Sequence, residues 1–435
     1  MTPPLQTIDR RRAWLPWSLA LVSFLPLLWC RHDFQGMFWF GDEWDQLDQI
    51  SRQGFWHWSF RCFGENFAPV LKMTWGALAL GSHGSYLGVL VAVWCVHACC
   101  IILLGFWMRA SGFGSLATAF VLLGFGLAVT NVETLGWSIQ LITVQGMAFF
   151  LGAAWWHHAR ERDGDWTPGA LILFALLLVL STFSFVRGPL AGVALAGATI
   201  LFPSQGRGRR SARWLVTAVC LIPAAISVAV VMTIAPGNQH HPFAAGIREP
   251  ALFAASYYLL NPAYKFVTES AWTTPTLLLC GAGKIAVLAC GWRAASSSQR
   301  RLLLPLFVFD FGNAVLMGIG RYNEPLITAT SSRYQYISLI CTLPFFGVLL
   351  ETVLHAIPAS TIVRRVSAAL ALAVATWVAM HNWPSVMSGW AEYRGRNTRY
   401  TVFQDPNPAP EGAIPGIPFL QTRRAKELVA QYHLH

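Results

Sequence analysis

The chain has 435 residues, of which 55% are hydrophobic and only 12% charged, and its mean hydropathy is +0.47. Soluble domains carry about 25% charged residues, so a soluble globular enzyme, a disordered chain and a simple secreted domain are excluded. The formal charge of +11 need not signal nucleic acid, because a membrane protein collects Lys and Arg on its cytoplasmic side.

A membrane-crossing helix needs about 20 mostly apolar residues, with roughly 17 as a lower bound. Eleven runs qualify, give or take one: 13–30, 85–108, 114–130, 138–156, 168–184, 188–203, 214–235, 273–291, 302–319, 335–354 and 366–381. Only Ser184 to Arg187 separates 168–184 from 188–203, so that pair also reads as one broken or re-entrant unit. An N-terminus on the cytoplasmic side places fifteen of the 31 basic residues in short loops there, from Arg10 to Arg365. The C-terminus then lies on the outer side. The first run follows three arginines but lacks a small-residue cleavage site, which favours a retained anchor over a signal peptide. The 20 Trp are expected at the membrane–water boundary. Of nine Cys, only Cys30 and Cys62 fall near the outer face, where a disulfide is open to them.

The first outer loop, residues 31–84, carries Asp42, Glu43 and Asp45 behind an aromatic stretch. Trp44, Leu47 and Ile50 recur every three residues, which predicts a short amphipathic helix over 43–53 on the membrane surface. Asp42 follows Gly41 and fits the N-cap of that helix, a structural role that does not exclude chemistry. Phe55 to Phe60 reads as an interfacial belt. The same loop carries Glu65, and the later outer loops carry Glu133, Arg187, Lys265, Arg321 and Arg333, with His240, His241 and several tyrosines, Tyr334 among them. Arg at a hydrocarbon boundary binds a lipid phosphate bidentately, or simply snorkels beside a Tyr anchor. Lys284 and Asp310 sit roughly 17 and 14 Å deep at about 1.5 Å per residue. Charges at that depth are costly, so an interhelical ion pair is expected, structural first and substrate-handling second.

The ordered set Asp42-Glu43-Trp44, Glu65-Asn66-Phe67-Ala68-Pro69, His97, Glu133-Thr134-Leu135-Gly136-Trp137, Gly320-Arg321 and Ser332-Arg333-Tyr334 resembles the GT-C glycosyltransferase superfamily. These polytopic enzymes take sugars from polyprenyl-phosphate carriers. The resemblance implies an all-α GT-C-like membrane fold. It implies Asp42 as general base, with Glu43 the second choice. Substrate binding would fall to Glu65, Glu133, Arg187, Lys265, Arg321, Arg333 and Tyr334, with Arg321 and Arg333 neutralising the departing lipid phosphate. Direct displacement with one base would invert the anomeric centre, and neither metal nor cofactor is obligatory. The implied partners are a polyprenyl-phosphate sugar, a glycan or lipid acceptor and membrane lipids, with no nucleic acid. The implied location is a bacterial inner membrane with the site extracytoplasmic.

The chain departs from many relatives of that superfamily in having no large outer domain. Residues 1–381 are expected to form one membrane domain, and 382–435 a short outer tail with a basic helix near Arg423 to Lys426. Such a tail suits a small or lipid-linked acceptor. The alternatives are a transporter or flippase of lipid-linked sugars, disfavoured by the lack of visible repeats, and an O-antigen polymerase or ligase, which uses a large outer loop late in the chain.

Overall fold

The computed structural model describes residues 10–62, 66–164, 166–202, 209–234, 246–263, 273–356, 361–392, 399, 402, 413–414 and 417–435. The architecture is all-α apart from one short hairpin, Ala413–Ile414 with Ile417–Gln421. Among the described residues seven helices are long and apolar enough to cross a membrane. They are Tyr86–Ala110, Ser138–Asp163, Arg213–Thr233, Thr274–Ala294, Ser297–Arg321, Ser332–Ala356 and Val366–Ala391. An eighth arises if Ser115–Gly126 and Val129–Gly136, bent by 44°, are counted as one span. Three further apolar helices, Trp14–Trp29, Pro168–Ser184 and Pro189–Leu201, are shorter. The chain is therefore a polytopic helical membrane protein; the expected apolar runs are largely helical, with breaks at residues 23–24 in the first and 127–128 in the third.

Local chemistry explains where the helices begin and end. Ser85 accepts a hydrogen bond from Gly88 N at 3.2 Å and caps Tyr86–Ala110. Thr167 does the same for Pro168–Ser184, whose first helical position is proline. Ser296 and Gln299 form a reciprocal capping box at the head of Ser297–Arg321. Residues 185–188 form the tight connection between Pro168–Ser184 and Pro189–Leu201. A Cβ on Gly188 would lie 2.1 Å from the Ser181 carbonyl oxygen, so only glycine closes that turn.

The expected ion pair is present. Lys284 Nζ lies 2.7 Å from Asp310 Oδ2, with side chains 2% and 3% exposed. Ser338 Oγ lies 3.1 Å from the ammonium, which also sits 4.2 Å from the Tyr258 ring centroid. At the opposite end of the bundle from the first loop, Glu351 accepts from Gly114 N and, at 3.0 Å, from Gln299 Nε2. It ties three segments together there.

The first loop is more folded than expected. The surface helix runs Asp42–Gln53, and a second helix, Pro69–Gly81, packs beside the helices 141–163 and 168–184. Lys72 interrupts its apolar sequence, but the ammonium is buried, donating to the Trp58 carbonyl at 3.1 Å and sitting 5.0 Å from that ring's centroid. Burial pulls the Lys72 pKa down to about 8. The tryptophans divide. Trp14, Trp17, Trp29 and Trp56 are exposed as a boundary belt requires, whereas Trp39, Trp44, Trp58, Trp75, Trp94, Trp107 and Trp383 are fully buried. Buried indoles need acceptors. Trp39 donates to Gly84 O, Trp44 to Trp39 O, Trp58 to Gln46 Oε1 and Trp75 to Ser138 Oγ. The aromatic richness of this loop thus builds a core more than it anchors a surface. All nine cysteines are free, so Cys30 and Cys62 form no disulfide.

The tail is a strap as well as a tail. Its helix, Thr422–Tyr432, lies against Asp42–Gln53. Arg424 Nε is 2.7 Å from Asp48 Oδ1, and Ser51 Oγ donates to Gln431 Oε1 at 2.7 Å. His435 exchanges backbone hydrogen bonds with Gly84 and Tyr86.

Candidate functional site

Two groups of polar side chains gather at the end of the bundle that carries the first loop. The first surrounds the start of Asp42–Gln53. Gly41 has φ +59° and ψ −136°, a conformation that favours glycine, and it takes the N-cap position. Asp42 is therefore the first helical residue and not the cap expected from sequence. With Glu43 and Asp45 it places three acids in the first turn, where the helix dipole favours negative charge. Asp42 is half-buried.

Glu43 differs from its neighbour. It is 0% exposed. Phe40 N donates to its Oε2 at 3.0 Å, and Tyr86 OH and Ile139 N approach Oε1 at 3.3 Å each. Ser138 Oγ also bonds Oε1. Burial pushes the Glu43 pKa up to about 8 despite these hydrogen bonds. In this geometry Glu43 ties the first loop to the second and is sealed from any ligand, which corrects its expected place as a second base.

The second outer loop links this cluster to the arginines. Glu133, expected to bind substrate, is 8% exposed and instead holds the head of Ser332–Ala356. Its Oε2 accepts from Arg333 N at 3.1 Å, and its Oε1 lies 4.0 Å from Arg333 Nη1. Arg321 pairs with Glu324 at 2.7 Å. Tyr334 is 5% exposed, with guanidinium groups 5.0 Å (Arg333) and 5.8 Å (Arg187) from its ring centroid.

Arg187 completes the group. It is 9% exposed and has no carboxylate partner among the described residues. Its guanidinium lies 4.7 Å from the Phe185 ring centroid, and Nη2 is 2.7 Å from Met317 Sδ. Burial lowers its pKa from the usual arginine range, and Arg321 and Arg333 push in the same direction. Buried charges are normally paired. A guanidinium of this kind, between aromatic rings and beside two more arginines, is suited to an anion.

The structure thus brings Arg187, Arg321, Arg333, Tyr334 and Glu133 into one cluster, and Glu43, next in sequence to Asp42, is tied to the loop that carries Glu133 through Ser138 and Ile139. Glu65, Lys265, His240 and His241 lie outside the described residues. His97 is fully buried, with Nδ1 2.9 Å from Tyr336 OH and Nε2 3.3 Å from Gly126 O, so it joins helices rather than facing a site. Sequence reasoning missed Ser138 and Tyr86 as partners of Glu43. It also missed Asn313 and Met317, whose only signal was helical spacing of three and seven residues from Asp310.

Among the described residues no group of three or more His, Cys, Asp or Glu is placed to hold a metal ion. A cavity of about 20 Å³, room for roughly one water, lies at the other end of the bundle among Trp107, His157, His158, Glu161 and Arg301. No family model matches the chain, and no match is found among curated proteins.

Proposed function

We propose that this chain is a GT-C-type glycosyltransferase that moves a sugar from a polyprenyl-phosphate carrier to a hydroxyl acceptor of the cell envelope. The reading counts the bent pair and the three shorter apolar helices as spans with the seven long ones, for eleven in all, and places the Asp42 end of the bundle outside the cytoplasm. The observation that carries it is Arg187, a nearly buried guanidinium without a carboxylate partner among the described residues, beside Arg321 and Arg333 and at the same end as the acidic helix start.

In the proposed reaction Asp42 removes the proton of the acceptor hydroxyl as its oxygen forms a bond to the anomeric carbon. The bond from that carbon to the phosphate oxygen breaks, and the lipid phosphate leaves as an anion that needs no protonation. Arg187, Arg321 and Arg333 offset the charge that develops on it. Attack opposite the leaving group inverts the anomeric centre. Glu43 positions Asp42 by fixing the helix start.

The test is transfer of radiolabelled sugar by reconstituted wild type and Asp42→Asn. Loss of a general base lowers the rate by about 10²–10⁴-fold, and Asp42→Asn should fall in that range while retaining the wild-type melting temperature. A folded Asp42→Asn protein with undiminished transfer would remove Asp42 from the chemistry.

A further inference from the structure

Asn313 is fully buried on Ser297–Arg321, and its amide is half used. Nδ2 donates to the Tyr257 hydroxyl, and that hydroxyl donates its own proton to the Tyr334 carbonyl at 3.1 Å. Because the Tyr257 proton is committed to a carbonyl, the phenol can only accept from Asn313. This fixes which way the amide faces. Oδ1 then points elsewhere, and it has no hydrogen-bond partner among the described residues. Buried amide oxygens are usually paired; Asn131 Oδ1, Gln145 Oε1 and Gln335 Oε1 are bare as well, and of these Asn313 Oδ1 is the one on the helix that carries the partner of Arg187.

The place is informative. Asn313 precedes Met317 by one helical turn, about 6 Å along the axis, and Met317 Sδ is the atom that receives Arg187. Tyr257 is bonded to Asn313, and its ring centroid lies 6.4 Å from that of Tyr334, which is itself 5.8 Å from the Arg187 guanidinium. Among the described residues an acceptor without a donor thus stands one turn from the partner of a cation without a carboxylate. An inorganic anion would satisfy the arginine and leave the amide oxygen bare. A ligand carrying an anion and, a few ångströms away, a hydroxyl satisfies both.

We infer that Asn313 is a specificity residue, accepting a hydrogen bond from a hydroxyl on the neutral group attached to the anion that Arg187 holds. The inference rests on the sugar-transfer reading, in which that neutral group is the sugar of a glycosyl phosphate. Arg187 then recognises the phosphate of any polyprenyl phosphate, and Asn313 distinguishes the glycosylated lipid from the bare one.

The full chain in detergent is tested for equilibrium binding of two probes, a short-chain polyprenyl phosphate and its hexosyl phosphodiester. Asn313→Leu should bind the hexosyl lipid about fivefold more weakly, the ratio expected for one neutral hydrogen bond, with no change for the bare lipid. Arg187→Ala should weaken both by at least about tenfold, as loss of a charge-assisted contact requires. Should Asn313→Leu fail to fold, Asn313→Ala is read in its place and should show the same selectivity. Equal weakening for both lipids, or none for either, overturns the inference, the second result meaning that Oδ1 holds only a water. Wild type that binds neither lipid removes the sugar-transfer reading as well, whereas wild type that binds both with an indifferent Asn313 variant removes only the role of Asn313.

Discussion

Asp42 and Glu43 are neighbours in the chain and opposites in environment. One is half-buried at the mouth of a helix, and the other is enclosed among Phe40, Tyr86, Ser138 and Ile139. With its pKa raised to about 8, Glu43 holds a proton at neutral pH. Asp42 is thereby spared an adjacent charge. The folded state binds this proton more tightly than the unfolded chain, where the group titrates near 4.5. The stability it contributes is therefore fully present below about pH 4.5 and is lost as pH rises towards 8. Glu43→Gln imitates the neutral acid, so its melting temperature should exceed that of wild type at pH 8.5 by at least about 2 °C, with the gap closing at pH 5. A gap of the same size at both pH values would contradict a buried, proton-holding Glu43. The sequence singled out the acidic pair, and resemblance alone put Asp42 before Glu43; the difference in their surroundings was not legible. Glu43 is buried by residues 43 to 96 positions away, and no local pattern encodes such contacts.

At the scale of elements, long apolar runs were legible because hydrocarbon forces helices to be both continuous and apolar. Pro69–Gly81 escaped notice because it is short and contains Lys72, whose burial under Trp58 appears only in three dimensions. The Lys284–Asp310 pair was legible for the converse reason. Two deep charges of opposite sign on consecutive spans have few other ways to be satisfied. Neutralising one partner leaves the other buried and alone, at a cost of about 3–5 kcal/mol. Lys284→Met or Asp310→Asn should therefore lower stability far more than the double variant, measured by thermal unfolding in one detergent. A double variant as unstable as the worse single would argue against coupling. The strap over the surface helix makes a similar prediction. Arg424→Ala removes contacts to Asp48 and Ser51. Limited proteolysis should then cut the Thr422–Tyr432 segment faster than in wild type, and an unchanged cutting rate would mean that Arg424 does not hold it.

Over the whole molecule, the scarce charges are distributed with purpose. Arginines without deep burial mark one end of the bundle, and the acidic helix, the arginine cluster and the strap share the other. Hydropathy reveals the membrane, but the link from Glu43 to the loop of residues 133–139, and from Glu133 in that loop to Arg333, 200 residues further on, is made only in three dimensions. That long-range closure is what composition and spacing cannot encode. Sugar transfer and lipid-linked sugar transport use the same ligand and differ in whether a bond is broken. The most direct measurement therefore follows a polyprenyl-phosphate hexose, labelled in both sugar and lipid, in sealed proteoliposomes supplied with a hydroxyl acceptor. Sugar transfer predicts one equivalent of free polyprenyl phosphate for each sugar joined to the acceptor, with both signals lost in Asp42→Asn. Label that crosses the bilayer with its sugar still attached to the lipid, at a rate Asp42→Asn leaves unchanged, would contradict it.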